Sequence, residues 1–260
     1  MNKVRLLSLN IGNPSLERAR KQCLWLEGRQ EDIFVLTETR ESRGCEYIKN
    51  FFGQYAYNLF PANEGIEYFV NAPKSQTDDL GVIIISKYPI LTSTGFFPET
   101  SIYFSRQAET SIKLSEKKTI DVVGLYVPSR DRSERKILRK KNYIDEMERY
   151  IRESSKTNRI ILGDLNILER EHVPHYSTFY EWEYHFYDVF MEAGYVDAFQ
   201  YVHPAVQEYS WVGRTQNGYR YDYCFVSPDL RENISECQYI HETRMMRITD
   251  HSAIVIEIAV

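Results

Sequence analysis

Short apolar runs that end in polar residues are spread over the whole length of this chain, and their spacing predicts its elements. Residues 4–10 (Val-Arg-Leu-Leu-Ser-Leu-Asn) predict a first strand ending on Asn10. A loop through Gly12, Asn13 and Pro14 follows. Ser15 is placed to cap a helix over 16–26, where Ala19, Cys23 and Leu26 recur at helical spacing. Residues 33–36 predict a short strand leading into Thr37-Glu38-Thr39, and 43–52 a short helix. Residues 55–60 and 66–70 predict two paired strands, before a polar loop over 71–79. Residues 81–86 (Gly-Val-Ile-Ile-Ile-Ser) read as a strand buried on both faces. Residues 108–114 alternate, and 119–126 form a further apolar strand running into Val127-Pro128-Ser129. From 133 to about 154 the pattern becomes one long helix. Ile137, Ile144 and Ile151 recur every seven residues, Met147 lies between them, and the other faces are charged.

The central stretch is Arg159-Ile160-Ile161-Leu162-Gly163-Asp164-Leu165-Asn166. A buried strand reaches Gly163, whose missing side chain lets the backbone turn or be approached closely. Asp164 and Asn166, two residues apart at an extended strand end, are expected to point the same way. Such a pair can hold a water, a metal or a phosphate, although an isolated Gly-Asp-x-Asn is also an ordinary turn. An aromatic helix over 180–193, a strand and turn over 209–213, and strands over 219–227 and 253–258 complete the chain. No linker composition or repeat interrupts it, so residues 1–260 predict one α/β domain.

Bulk composition narrows the function. A hydrophobic content of 43% and a mean hydropathy of -0.47 suit a protein with a substantial core. A formal charge of -5 gives no global basic character to announce a nucleic-acid binder. Lys136, Arg139, Lys140 and Lys141 cluster, which reads as a solvated helix face. The 20 Tyr and 13 Phe are expected mainly in packing. Cys23, Cys45, Cys224 and Cys237 lack metal-site spacing and read as packing thiols in a reducing, cytoplasmic setting. No signal peptide or membrane-spanning run is evident, and the chain is expected to be monomeric.

The candidate chemistry gathers at strand ends: Asn10, Glu38, Tyr126, Asp164 with Asn166, then Asp222 in Tyr-Arg220-Tyr-Asp222-Tyr, and Asp250-His251 before the last strand. Singly, each has an ordinary explanation in a cap, a surface pair or packing. Asp222 is hardest to explain that way, because a buried charge needs a partner; Arg220 and His251 are available. Together they suit hydrolysis of a phosphate ester. Glu38 offers the hard oxygen donors that Mg²⁺ prefers. Asp222 can fix the tautomer of His251 and raise its basicity, and Asp164 can align or deprotonate water. Tyr126, Asn166 and Asn10 can hydrogen-bond phosphate oxygens as charge builds up.

These motifs also carry a resemblance. Leu-Ser-Leu-Asn10, Leu-Thr-Glu38-Thr, Gly-Leu-Tyr126-Val-Pro-Ser129, Leu-Gly-Asp164-Leu-Asn166, Tyr-Ser-Trp211, Tyr-Arg220-Tyr-Asp222-Tyr and Thr-Asp250-His251-Ser resemble the endonuclease/exonuclease/phosphatase superfamily, most of all its exonuclease III and apurinic-endonuclease branch. The resemblance implies a four-layer α-β-β-α sandwich, with two mixed β-sheets face to face and helices outside. It implies a divalent metal, usually Mg²⁺ with Mn²⁺ as a substitute, near Asn10, Glu38 and Asp250. It gives Asp222 the orienting of His251, Asp164 and Asn166 the placing of water, and Trp211 a wall of the pocket that receives a sugar or base.

Departures from the branch lie where substrate would be read. Thr37 replaces a Gln, and Ser129 replaces an Asn while keeping one donor for phosphate. The loop after Asn10 lacks the branch's Asn-Gly-Leu-Arg stretch, and residues 172–182 replace a DNA-contacting loop. Arg106 is placed to reach a phosphate or to pair with a surface carboxylate, and Arg220 is a further candidate substrate contact. Glu169, His172 and His175 read as a solvated loop rather than a metal site. The expected function is metal-dependent phosphodiester hydrolysis on DNA. The alternatives are a phosphatase on a small phosphorylated molecule or lipid headgroup, favoured by the acidic balance, and a non-catalytic module.

Overall fold

The computed structural model describes residues 3–54, 68–74, 78–154 and 157–260. In chain order the elements are β1 (Lys3–Asn10), α1 (Leu16–Glu27), β2 (Ile33–Thr39), α2 (Arg43–Gln54), β3 (Phe69–Asn71), β4 (Gly81–Ser86) and β5 (Ile90–Thr94). Then come β6 (Gln107–Ser115), β7 (Lys118–Tyr126), α3 (Glu134–Glu153), β8 (Arg159–Asp164), α4 (Glu181–Glu192), β9 (Val196–Asp197) and α5 (Ala198–Val202). The chain ends with β10 (Trp211–Val212), β11 (Gly218–Tyr219), β12 (Asp222–Val226), β13 (Ile234–Ile240), α6 (Glu242–Met245) and β14 (Ala253–Ala259).

Two six-stranded mixed sheets result, ordered β13-β14-β1-β2-β4-β3 and β5-β6-β7-β8-β12-β9. Strand alternation assigns each apolar residue to a layer. Leu6, Val35, Ile84, Val122, Leu162 and Ile256 form the core between the sheets. Their neighbours Leu7, Phe34, Leu36 and Val255 turn the other way and pack with Ala19 and Ile48 of α1 and α2. Val123, Ile161 and Phe225 pack beneath Ile144 and Met147 of α3 and Phe190 of α4. This is the four-layer arrangement expected from the resemblance. It explains the unbroken apolar runs 82–85 and 160–162: each strand is buried on both faces.

Two glycines permit the close contacts. A Cβ on Gly124 would lie 2.8 Å from Val35 Cγ1 across the inter-sheet space. Gly163 has φ 150°, and a Cβ there would collide with the Leu125 backbone, so β7 and β8 meet closely at this point. The parallel register then sets Tyr126 directly beside Asp164.

Most elements lie where the pattern places them, and the Ser15 hydroxyl does accept the backbone N–H of Arg18. Residues 55–60 fall outside the described residues, while 69–71 pair with β4. The strand expected over 219–227 is broken: Tyr219 pairs with Trp211 in a separate ribbon, and β12 starts at Asp222. The sequence reading omitted β5, β9, β13 and the short helices α5 and α6. Lys140 is not on a solvated face; it is 1% exposed, with its ammonium on Glu183 Oε1 at 2.6 Å.

Candidate active site

The parallel pairs β1–β2 and β7–β8 send their carboxyl ends to one edge of the two sheets. Antiparallel β12 begins at that edge, with Asp222 opposite Asp164. Asn10, Glu38, Tyr126, Asp164, Asn166 and His251 thereby line one cleft of about 710 Å³, with Ser129 and Trp211 on its walls. Crevices outside strand carboxyl ends are where open α/β sheets bind ligands.

Asp164 lies at the centre. It is 1% exposed, its Oδ2 accepts Asn10 Nδ2 at 2.7 Å, and its Oδ1 accepts the Asn166 backbone N–H at 3.0 Å. Asn166 is not extended: φ is 50°, and its Nδ2 donates to the Val127 carbonyl. The Asp-Asn turn and the polar site are therefore one structure. Burial foremost, then the charges of Asp222 and Glu38, push the Asp164 carboxyl up to about 7, against the pull of His251 and Asn10.

His251 pairs with Asp222 Oδ2 through Nδ1 at 2.8 Å. Burial alone would lower the imidazole pKa, but the charge and hydrogen bond of Asp222, helped by Asp164 and Asp250, raise it to about 9. Donor atoms of Asp164, Asp222 and His251 lie within 4.8 Å of one another. Arg220 is therefore not the partner of Asp222.

Glu38 sits at a β-bulge between Thr37 and Thr39 with φ 58°, a left-handed conformation that is uncommon outside glycine. Asn13 N–H holds its carbonyl at 2.7 Å, and the side chain enters the cleft. Asp250 is exposed, and its Oδ2 accepts Trp211 Nε1 at 3.0 Å. Although burial opposes it, that bond and nearby His251 hold the carboxyl below the usual range. Burial, with Glu38 and Asp164 nearby, drives the Tyr126 phenol well above its ordinary value, so it stays a neutral donor.

The donor set fits a divalent cation. Glu38, Asp164 and Asp250 carry hard oxygens, and buried Asp222 Oδ1 has no partner among the described residues.

Three sequence expectations are corrected. Arg106 is 3% exposed; its Nε donates to Asp79 Oδ2 at 2.6 Å and its Nη1 to the Tyr126 carbonyl. It braces Tyr126 from behind and does not line the cleft. Arg220 is fully buried, paired with Asp197 and 3.7 Å from Glu169, while its neighbours Tyr219 and Tyr221 line the cleft. Glu169 and His172 are buried, not solvated: Glu169 Oε2 accepts the Tyr223 hydroxyl at 2.7 Å and its Oε1 lies 3.6 Å from His172 Nδ1. Only His175 of that trio is exposed.

The sequence reading also passed over Lys140, whose ammonium bonds the Asn166 carbonyl at 2.6 Å, and over Phe179, Tyr180, Tyr219 and Tyr221, all in the cleft wall. The signal for Lys140 was its phase. It lies three residues after Ile137 and four before Ile144, on the apolar stripe.

A fold with two face-to-face sheets flanked by helices and a carboxylate–imidazole cluster at one sheet edge defines a class of hydrolases, and comparison identifies which. The model of the Endonuclease/Exonuclease/phosphatase family matches residues 7–251, and the chain belongs to that family. It is a phosphoesterase, in a family whose chemistry depends on divalent metal. An exodeoxyribonuclease of Bacillus subtilis is 30% identical over 250 residues, covering 90% of this chain and 92% of that protein. An AP endonuclease from Archaeoglobus fulgidus superposes with a TM-score of 0.77 at 21% identity, over 99% of this chain and 100% of that one. A 3′ phosphatase (NExo) from Neisseria, bound to product DNA hairpin, gives 0.78 at 18% identity with the same coverage. At these identities the two structures speak for the fold.

Proposed function

We propose that residues 1–260 form one catalytic unit, a Mg²⁺-dependent phosphodiesterase acting on DNA in the manner of exonuclease III or an apurinic endonuclease. The observation that carries the reading is the convergence of Asp164, Asp222 and His251 within 4.8 Å, in the same cleft as Asn10 and Glu38. The exodeoxyribonuclease relative supports the choice of substrate.

Glu38 and Asp250 would hold the metal together with Asn10, whose Oδ1 accepts Gly12 N–H. A Mg²⁺ ion, or Mn²⁺ in its place, would supply positive charge to offset the charge that builds on the phosphate oxygens. Asp222 keeps His251 protonated at neutral pH, so His251 Nε2 donates to a phosphate oxygen. The Asp164 carboxyl, with a pKa near neutrality, takes the proton of the attacking water. A water O–P bond forms in line as the ester P–O bond breaks. Tyr126 and Asn166 steady the phosphoryl oxygens, and Ser129 and Trp211 bound the substrate. The protein works in the cytoplasm as a monomer; among the described residues no helix is long and apolar enough to cross a membrane.

The net charge of -5 favours one other reading, a phosphatase on a small phosphorylated metabolite or phosphoinositide headgroup. Abasic duplex, 3′-recessed duplex and phosphoinositides are compared with Mg²⁺ and with Mn²⁺. Cleavage of either duplex, with a steep salt dependence, is expected. Turnover of phosphoinositides alone would transfer the assignment to the second reading. Near wild-type activity in both Asp164→Asn and His251→Ala would overturn both.

A further inference from the structure

Asn10, Glu38 and Asp250 come from three separate segments of the chain. Backbone bonds join the first two. Ile11 N–H donates to the Thr37 carbonyl at 3.0 Å, and Asn13 N–H to the Glu38 carbonyl at 2.7 Å. Asp250 lies on the other side of β1, in the segment that leads into β14. The antiparallel ladder between β1 and β14 stops at Ser8 and Ile254, before either Asn10 or Asp250 is reached. Two side chains continue the connection past its end. Thr249 Oγ1 donates to the Asn10 carbonyl at 2.7 Å. Gln22 Nε2, from α1, donates to the Ile11 carbonyl and to the Ile248 carbonyl, at 3.0 Å each.

Packing does not account for Gln22. It lies three residues after Ala19 and four before Leu26, on the apolar stripe of α1, and is fully buried. A buried primary amide is costly unless both of its ends are paired, and Gln22 Oε1 has no hydrogen-bond partner among the described residues. An apolar side chain of the same length would pack there without that cost. What the amide alone supplies is two N–H groups on one atom, and two converging carbonyl oxygens need both. Without them the Ile11 and Ile248 carbonyls would face one another unpaired and repel. Arg18, one turn earlier on the same helix face, reinforces the near side by donating through Nη2 to the Ile11 and Gly12 carbonyls. The loop held in this way is the one that lacks the stretch typical of the branch the sequence resembles.

We propose that Gln22 is a positioning residue for the divalent cation: its amide staples the Asn10 loop to the Asp250 loop and fixes the spacing of those ligands before the ion arrives. This role rests on the cation site proposed above and adds what sets its affinity. Ligands fixed in advance lose less freedom on binding, and groups that orient metal ligands contribute roughly 10–100-fold in affinity.

The test uses the full chain, stripped of metal by chelator and free of substrate. Mg²⁺, and separately Mn²⁺, is titrated by calorimetry into wild type, Gln22→Met and Ile48→Val. Methionine keeps the length of the side chain and removes both donors. Ile48→Val trims the same core layer from α2 and leaves both loops tied. The expected result is a Kd raised on the order of 10-fold or more in Gln22→Met and little changed in Ile48→Val. In the metal-free protein the Ile11 and Ile248 amides, bonded to the Thr37 and Thr243 carbonyls, should exchange with solvent faster in Gln22→Met than in wild type. An unchanged Kd in Gln22→Met, or the same rise in Ile48→Val, overturns the role of Gln22 and leaves the cation site standing. No binding of either ion to wild type overturns both. If Gln22→Met does not fold, exchange in wild type decides. Slow exchange at Ile11 and Ile248 before any ion is added supports the staple, and exchange that slows only when Mg²⁺ is added overturns it.

Discussion

Replacing Asp164 by Asn should stop the reaction and stabilise the metal-free protein. The carboxylate is 1% exposed and faces Asp222, which is fully buried, so its charged form is costly in the fold. A rise from 3.8 to about 7 corresponds to a cost on the order of 4 kcal/mol for the charged form. Because the folded pKa is the higher one, the wild type loses this stability as pH rises from about 4 to about 7 and gains nothing back above it. Asn is isosteric and uncharged. It keeps an acceptor for Asn166 N–H but turns an amino group toward Asn10 Nδ2, a donor mismatch that costs about 1–3 kcal/mol. A net stabilisation of about 1–3 kcal/mol remains above pH 7, which for a chain of this size is roughly 3–9 °C in Tm.

The assay is thermal unfolding in chelator from pH 5 to pH 9. The Tm difference should be small or reversed at pH 5 and reach its plateau above pH 7. With the chelator removed and Mg²⁺ restored, kcat/KM should fall by about 10²–10⁴. A variant that melts at or below wild type across this whole range would refute the argument that burial and like charge dominate at Asp164.

Three further outcomes are expected. Arg220→Met strands Asp197 and Glu169 without their cation and should destabilise the fold by about 3–5 kcal/mol in urea, with KM unchanged per folded molecule. Unaltered stability with a raised KM would instead make Arg220 a substrate contact. Although burial opposes it, the His172 hydrogen bond and Arg220 hold the Glu169 carboxyl down to about 2 from 4.5, a contribution of about 3 kcal/mol that is present above pH 4.5 and lost as pH falls toward 2. The unfolding free energies of wild type and Glu169→Gln should therefore differ at pH 7, differ by less than half as much at pH 3, and converge only as pH approaches 2. Mg²⁺ at about 100 times its Kd should stabilise the wild type by about 2.7 kcal/mol in calorimetric melts, and Glu38→Gln should abolish most of that gain at the same concentration.

The sequence by itself determined the layers and the inventory of the site. Continuous apolar runs at 82–85 and 160–162 required strands covered on both sides, and the Ile144–Met147–Ile151 stripe required a helix packed by that face. Polar residues placed where those runs stop are legible because strand carboxyl ends recur as binding edges. Asn10, Glu38, Tyr126, Asp164 and His251 needed no coordinates to be singled out, and all five line the cleft.

Only the tertiary structure decided which charges are free and which are spoken for. Arg106 read as a phosphate contact or half of a surface ion pair, and Arg220 as a substrate contact or the partner of Asp222, because an arginine near a motif looks available, yet their carboxylate partners Asp79 and Asp197 are 27 and 23 positions away. Lys140 looked solvated because its neighbours are charged, and its partner Glu183 lies 43 residues on, in another helix. The pKa of Asp164 likewise depends on Asp222, which the sheet register alone brings opposite. Periodicity reports which face of its own element a residue occupies. It carries no information about the element that will face it, and a buried charge is defined by that second element.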